Sequence, residues 1–154
     1  MSLCDGASGS TLLVQYSADP TLEWNNAGHT WTDIRDVAGQ LDVGGGDRDV
    51  SEYKTFNGVV IGTTPPGMVD VNASIVFKNA TNSFLEFLLD RWTSGACFYL
   101  RWAYNSGATG ALRRTALVKV VSNPHTGGDA NSAQPLVKQV RFVTEQIRRD
   151  TVPA

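Results

Sequence analysis

Val69-Asp-Val-Asn-Ala-Ser-Ile-Val-Phe77 is the stretch whose reading decides the fold. Val69, Val71, Ala73, Ile75 and Phe77 share one side and Asp70, Asn72 and Ser74 the other, the period of two that a half-buried strand requires. The period then changes. In Ser83-Phe-Leu-Glu-Phe-Leu-Leu-Asp-Arg-Trp92 the residues Phe84, Leu85, Phe87, Leu88, Leu89 and Trp92 form a broad helical face. Ser83 and Glu86 have capping-box spacing, and Gly95 supplies the stop, so one helix is expected over about 83–93.

Outward from this pair the signals are those of strands. Thr11 to Ser17 alternates, with Leu12, Val14 and Tyr16 on one face, and His29 to Val37 reads as a second strand mixed on both faces, as edge or contact strands are. On the C-terminal side, Cys97 to Tyr104 and Ala111 to Val121 read as a hairpin across the turn at 105–110. A polar loop at 122–135 leads to a last strand from Leu136 to about Ile147, and Thr151 to Ala154 is expected to fray. Between Asp36 and Gly58 the triplet Gly44-Gly45-Gly46 and intermingled charges read as a long loop, in which Leu41, Val43, Val50, Tyr53 and Phe56 are enough apolar anchors to order it against something. The order β, β, long loop, β, α, β, β, β predicts an α+β, mainly β, sandwich-like single domain over residues 1–154 rather than a doubly wound parallel sheet.

Composition narrows the function. The 154 residues are 42% hydrophobic and 18% charged, too apolar for disorder and charge-poor for a freely solvated monomer, which leaves surface for burial against partners. A net charge of −2 lacks the electrostatic footprint of a DNA-gripping protein. Cys4 and Cys97 are too few for a disulfide scaffold, and Cys97 reads as a small hydrophobe in a strand. The start of the chain has neither a basic region nor a long apolar one, and no window reaches the roughly 20 apolar residues of a membrane span, so no membrane partner is expected. Two sequons, at Asn72 and Asn79, read as chance.

Chemistry-bearing constellations are missing from the sequence. His29 and His125 both sit in or beside polar turns, and no HxxxH, HxH or CxxC spacing exists. Gly44-Gly45-Gly46-Asp47 lacks the Lys-Ser/Thr of a phosphate loop. Counted from Asp33, Asp36, Asp42, Asp47 or Asp49, neither the turn glycine nor the closing glutamate of a calcium loop falls in place, and Glu52 with these aspartates reads as solvated loop charge. Arg113-Arg114 and Arg148-Arg149 are too short for nucleic-acid patches and read as strand-end or interface charges. The expectation is a protein with no catalytic residue, cofactor or metal, and not an enzyme. Trp92 and Trp102 read as packing, while Trp24 and Trp31 remain as surface candidates, either interface anchors or the stacking platform of a carbohydrate-binding β-sandwich.

The charged segment ending in Asp49-Val-Ser-Glu-Tyr53, the link Gly62 to Gly67, the strand 69–77, the helix after it and the closing strand Val137 to Val143 together resemble the major tail tube protein of long-tailed (siphovirus-like) bacteriophages. The resemblance covers about 37–147 and rests on order rather than on one diagnostic motif. It implies a β-sandwich or split-barrel fold with one flanking helix, and copies that close into hexameric rings and stack into a tail tube for DNA ejection. The segment 36–58, through Leu41, Val43, Val50, Tyr53 and Phe56, would order on an adjacent subunit or ring. Implied partners are sister subunits, a tape-measure protein in the lumen, tail terminator and distal tail proteins at the ends, and double-stranded DNA in passage. The implied location is the virion, after assembly in host cytoplasm. Neutral or acidic lumen walls let a polyanion slide where basic ones hold it, which makes Asp70, Asn72 and Ser74 the candidate lumen face. The ring protein of a contractile injection tube, or a terminator or hub protein, is a close alternative.

Overall fold

The computed structural model describes residues 11–77 and 83–154, the Ser83 side chain excepted. Cys4, the Asn79 sequon and the side-chain half of the Ser83–Glu86 box therefore lie outside the described residues. Among the described residues ten strands and one α-helix follow one another as β1 (Leu13–Ser17), β2 (Thr32–Asp33), β3 (Ala38–Gly45), β4 (Val50–Thr55), β5 (Gly58–Thr63), β6 (Val69–Val76), α1 (Ser83–Ser94), β7 (Phe98–Ala103), β8 (Leu112–Val120), β9 (Val137–Thr144) and β10 (Ile147–Thr151). The protein is thus mainly β with antiparallel pairing, as expected.

β6 is built as its alternation demands. Val71, Ala73 and Ile75 are buried, and Asp70, Asn72 and Ser74 point to the other side. Hydrogen bonding puts β6 between β9 and β3 in a sheet of order β2-β1-β7-β8-β9-β6-β3. β8 joins its two halves: Leu112 to Ala116 lie opposite β10, whereas Lys119 and Val120 lie opposite β9. The sheet curls until its ends meet, because β2 and β3 are joined by only the short turn 34–37. Ile34 N–H donates to Val14 O at 3.0 Å on one side, and Val76 N–H donates to Val37 O at 2.8 Å on the other. The result is a split barrel.

α1 closes this barrel. Phe84, Leu85 and Leu88 enter a core that includes Val71, Ile75, Phe98, Val118, Val140 and Phe142. The rings of Phe84 and Phe87 lie 4.9 and 4.7 Å from that of Tyr16, and Phe87 meets Phe98 edge-on at 5.0 Å. Such pairs add about 0.5–1.5 kcal/mol each beyond the area they bury. The helix stops where expected: Gly95 takes φ +73° and its N–H donates to Arg91 O at 2.9 Å, a left-handed cap that glycine adopts without penalty.

Three expectations need correction. The long loop at 36–58 is not a loop: 38–45 is a strand paired along its length with β6, and 50–55 is half of a hairpin with β5. Glycines and scattered charge do not forbid a strand that packs on one side and ends the sheet. Of the strand expected at 29–37 only Thr32 and Asp33 pair, since Ile34 and Val37 are spent plugging the barrel's end. The C-terminal segment does not fray at 151: β10 lies against β8, Gly110 N–H donates to Val152 O at 2.8 Å, and Val152 N–H donates to Ala111 O at 2.9 Å. No helix among the described residues is long and apolar enough to cross a membrane.

Candidate functional site

β4 and β5 form a two-stranded sheet of their own, hydrogen-bonded to no other strand among the described residues. Thr55 pairs with Gly58 around the turn residues Phe56 and Asn57, and Thr55 Oγ1 holds the turn by donating to Gly58 O at 3.1 Å and accepting the Asn57 N–H at 3.2 Å. The alternation sorts the side chains. Tyr53 and Val60 lie on a face otherwise made of Ser51, Thr55, Gly58 and Gly62, without charge, whereas Val50, Val59 and Ile61 share the other face with Glu52, Lys54 and Thr63. Every residue of both strands is exposed: Val50 is 68%, Ile61 63% and Tyr53 73% accessible, and the Phe56 tip is completely bare. A lone two-stranded hairpin is marginal in water, and apolar side chains on both of its faces gain nothing from solvent.

The root of this arm is fixed. Asp49 N–H donates to Thr64 Oγ1 at 2.9 Å and Thr64 N–H to Asp49 O at 3.0 Å, tying the two strands where they leave the body. Gly45 and Gly46 take φ +70° and +77°, and a Cβ on Gly46 would stand 2.9 Å from Val69 Cγ2. Only glycine allows the chain to turn out of β3 this close to β6. The Gly44–Gly46 run is therefore the arm's corner and not a flexible spacer.

Of the five residues expected to anchor an intersubunit contact, the structure brings three together: Val50, Tyr53 and Phe56 are all on the arm. Val43 stands exposed on β3, and Leu41 packs against the chain's own core. Sequence reasoning missed their apolar partners Val59, Val60 and Ile61, which β5 adds. The continuous run Val59-Val60-Ile61 was the available signal.

Asp70, Asn72 and Ser74 face away from the core beside β3 and β9. Arg141 Nη2 and Nε donate to Asp70 Oδ1 at 2.8 and 3.1 Å, and Gln139 Nε2 donates to Ser74 Oγ at 3.2 Å. Asp42 and Arg141 lie opposite Asn72 on either side, so the one cation of these rows across β3, β6 and β9 is held by a carboxylate, while Lys119 continues the Asp70 row on β8 opposite Val143.

The other candidates are structural. The Arg101 guanidinium covers Trp31 at 3.9 Å and donates to Gln15 Oε1 at 2.7 Å, so one face of that ring is not open to a sugar. Burial, then the nearby Arg113 charge, pull the pKa of Arg101 down to about 10. The Asp150 carboxylate accepts from Arg113 at 2.9 Å and raises its pKa, which accounts for Arg113 as a strand-pair charge. Trp102 is buried as expected, whereas Trp92, expected to pack, is exposed at the helix's edge beside the His125 ring, and His29 is buried between Ser17 Oγ and Glu23 O at 2.7 Å each. No cluster of three or more His, Cys, Asp or Glu suited to a metal occurs among the described residues.

Neither a family model nor a curated protein matches the chain. Solved structures do. A chain of the anti-feeding prophage baseplate, 6-fold symmetrised, is similar at TM-score 0.65 and 17% identity, covering 100% of both chains. A chain of the anti-feeding prophage cap, the tube terminating cap, matches at TM-score 0.64 and 13% identity over 98% of this chain and 95% of that one. A chain of the sheath-tube complex of PVC, an extracellular contractile injection system, in its extended state matches at TM-score 0.60 and 12% identity over 97% and 95%. At such identities the likeness shows that the fold is shared along nearly the whole chain.

Proposed function

We propose that this chain is a structural subunit of a phage-tail-like tube, assembling with copies of itself into stacked rings around a conduit, and that it is not an enzyme. The observation that carries the reading is the bare arm: six apolar side chains on a two-stranded hairpin, tied firmly at its root and covered by none of the described residues. β3, which ends the sheet, adds an eight-residue strand whose outer edge has no strand partner among the described residues. A rigid, apolar, unpaired element of this kind is a template for another chain. The shared fold with chains of a tube terminating cap, a baseplate and a sheath-tube complex supports the same reading.

In such a tube the Asp70, Asn72 and Ser74 face lines the lumen. Across β3, β6 and β9 its one cation, Arg141, is neutralised by Asp70, so duplex DNA or a tape-measure protein meets Lys119, which continues the Asp70 row on β8, as the nearest open cation. Rings of six are the natural stoichiometry in view of the 6-fold symmetrised baseplate match, with terminator and distal tail proteins at the ends and the virion or particle as the location. The match to a sheath-tube complex favours one further reading, the tube protein of a contractile injection system rather than of a long non-contractile phage tail. Negative-stain micrographs of the concentrated protein test the proposal: rings or tubes are expected, and a field of lone protomers would overturn it.

A further inference from the structure

On the outer side of the sheet, where β7, β8 and β9 run together, lies a groove of about 430 Å³. Trp24, Met68, Cys97, Tyr99, Leu117 and Val143 give it an apolar floor and wall. Its rim carries two acids, Glu23 and Glu145, and two bases, Lys119 and Arg148. The wall from the 18–28 segment is held in place: Tyr99 Oη donates to Leu22 O at 2.9 Å, the His29 ring bonds Glu23 O, and Arg91 Nη2 donates to Ala18 O at 2.9 Å. No residue of β4 or β5 lines the groove, so the protomer's own arm leaves it open.

We infer that this groove receives the arm tip of a second copy of the same chain, with Phe56 as the buried anchor and Tyr53 and Val60 as its flanks. The inference rests on the tube-subunit reading and adds the receptor that the arm needs. Two observations carry it. Among the described residues the chain displays an unpartnered apolar projection and an unfilled apolar depression at once, each lacking there what the other offers. The arm root and the groove share a border, because Met68 lines the groove and directly follows the Gly67 that ends the arm's return. Projection and depression occupy different surfaces of one chain, so the contact is heterologous: repeated, it generates rings or open stacks and not a closed pair.

The test uses the full-length protein. In a Cys4→Ser background, Asn57→Cys places a thiol beside Phe56 without removing the anchor, and diamide takes two protons and two electrons from a pair of thiols within reach. Intermolecular disulfides to the native Cys97, seen as a ladder on a non-reducing gel and absent after Cys97→Ser, are expected. Leu117→Glu, which puts a charge on the groove floor, should raise the protein concentration needed for assembly about tenfold or more while leaving the urea midpoint unchanged. If Phe56→Ala blocks assembly but Leu117→Glu assembles normally and no ladder forms, the groove is not the receptor and the tube-subunit reading stands. If the wild-type chain does not assemble at all, both fall.

Discussion

β6 and β5 are near neighbours in the chain with similar apolar content, yet Ile75 in β6 is completely buried and Ile61 in β5 is 63% exposed. What separates them is pattern. β6 places Asp70, Asn72 and Ser74 between its apolar residues, so one face satisfies the core and the other satisfies water. β5 reads Gly-Val-Val-Ile-Gly-Thr, apolar on both faces, and a strand of that kind is satisfied only when both faces are covered. The described residues of one protomer cover neither. The same residue types thus stabilise the fold in one strand and stand ready for another molecule in the next.

The largest expected effect breaks that comparison directly. Ile75→Ala removes side-chain volume from a filled core and should cost about 2–5 kcal/mol in urea unfolding of the isolated protomer. Ile61→Ala should stay within about 0.5 kcal/mol in the same assay, as exposed substitutions do. Equal losses would mean that the arm is packed in the monomer. Sharpened further, Tyr53→Ala with Phe56→Ala should leave the monomer's unfolding midpoint in place and abolish the rings.

The pattern explains how much of the molecule is legible from its residues. β6, α1 with its Gly95 stop and the β7–β8 hairpin each carry a clean period and a marked end, and each appears where the alternation puts it. β3 carries Gly39, Gly44 and Gly45 and two polar residues in eight positions, so its identity as a strand comes from β6 beside it and not from its own composition. β10 was hidden for another reason. The chain runs from β9 into β10 through only Glu145 and Gln146, and nothing local marks the point where its neighbour changes from β6 to β8 alone. The arm's residues were half legible: their apolar content was visible, and Asn57-Gly58 is the usual hairpin dipeptide, but it sits one position late for the two-residue turn at Phe56 and Asn57 and lies in a segment whose charges and glycines read as a loop.

A smaller effect is expected at the joint between the two regions. Gly46→Ala forces a β-carbon into the left-handed region and against Val69, which should cost about 1–2 kcal/mol and turn the arm away from its exit line. Urea unfolding reads the first and ring formation the second, and a variant normal in both would show that the corner does not aim the arm.

On the outer side of β6 the effect should be smaller still for stability. The Asp70–Arg141 pair is solvent-exposed, so Asp70→Asn should cost less than about 1 kcal/mol. It nonetheless releases the one arginine of the proposed lumen rows, and assembled tubes of this variant should retain duplex DNA in a salt-dependent way that wild-type tubes do not. Unchanged retention would remove this face from the lumen.

The smallest effect lies in the loop that walls the groove. The Thr21 hydroxyl, donating at 2.6 Å, and then the Thr21 N–H at 2.9 Å hold the Asp19 carboxyl below its ordinary value of 3.8. A carboxylate depressed in the folded state contributes stability that is in place above its unfolded value and lost as pH falls through the folded one. The contribution therefore fades as pH falls from 3.8 through the lower folded value. An NMR titration should place the Asp19 midpoint under 3.8 in the native protein, and Thr21→Ala, which removes the larger cause and keeps the backbone donor, should bring it partway back. A midpoint indifferent to Thr21→Ala would mean that the turn at 19–21 is held by its backbone alone, leaving that side of the groove free to move when an arm arrives.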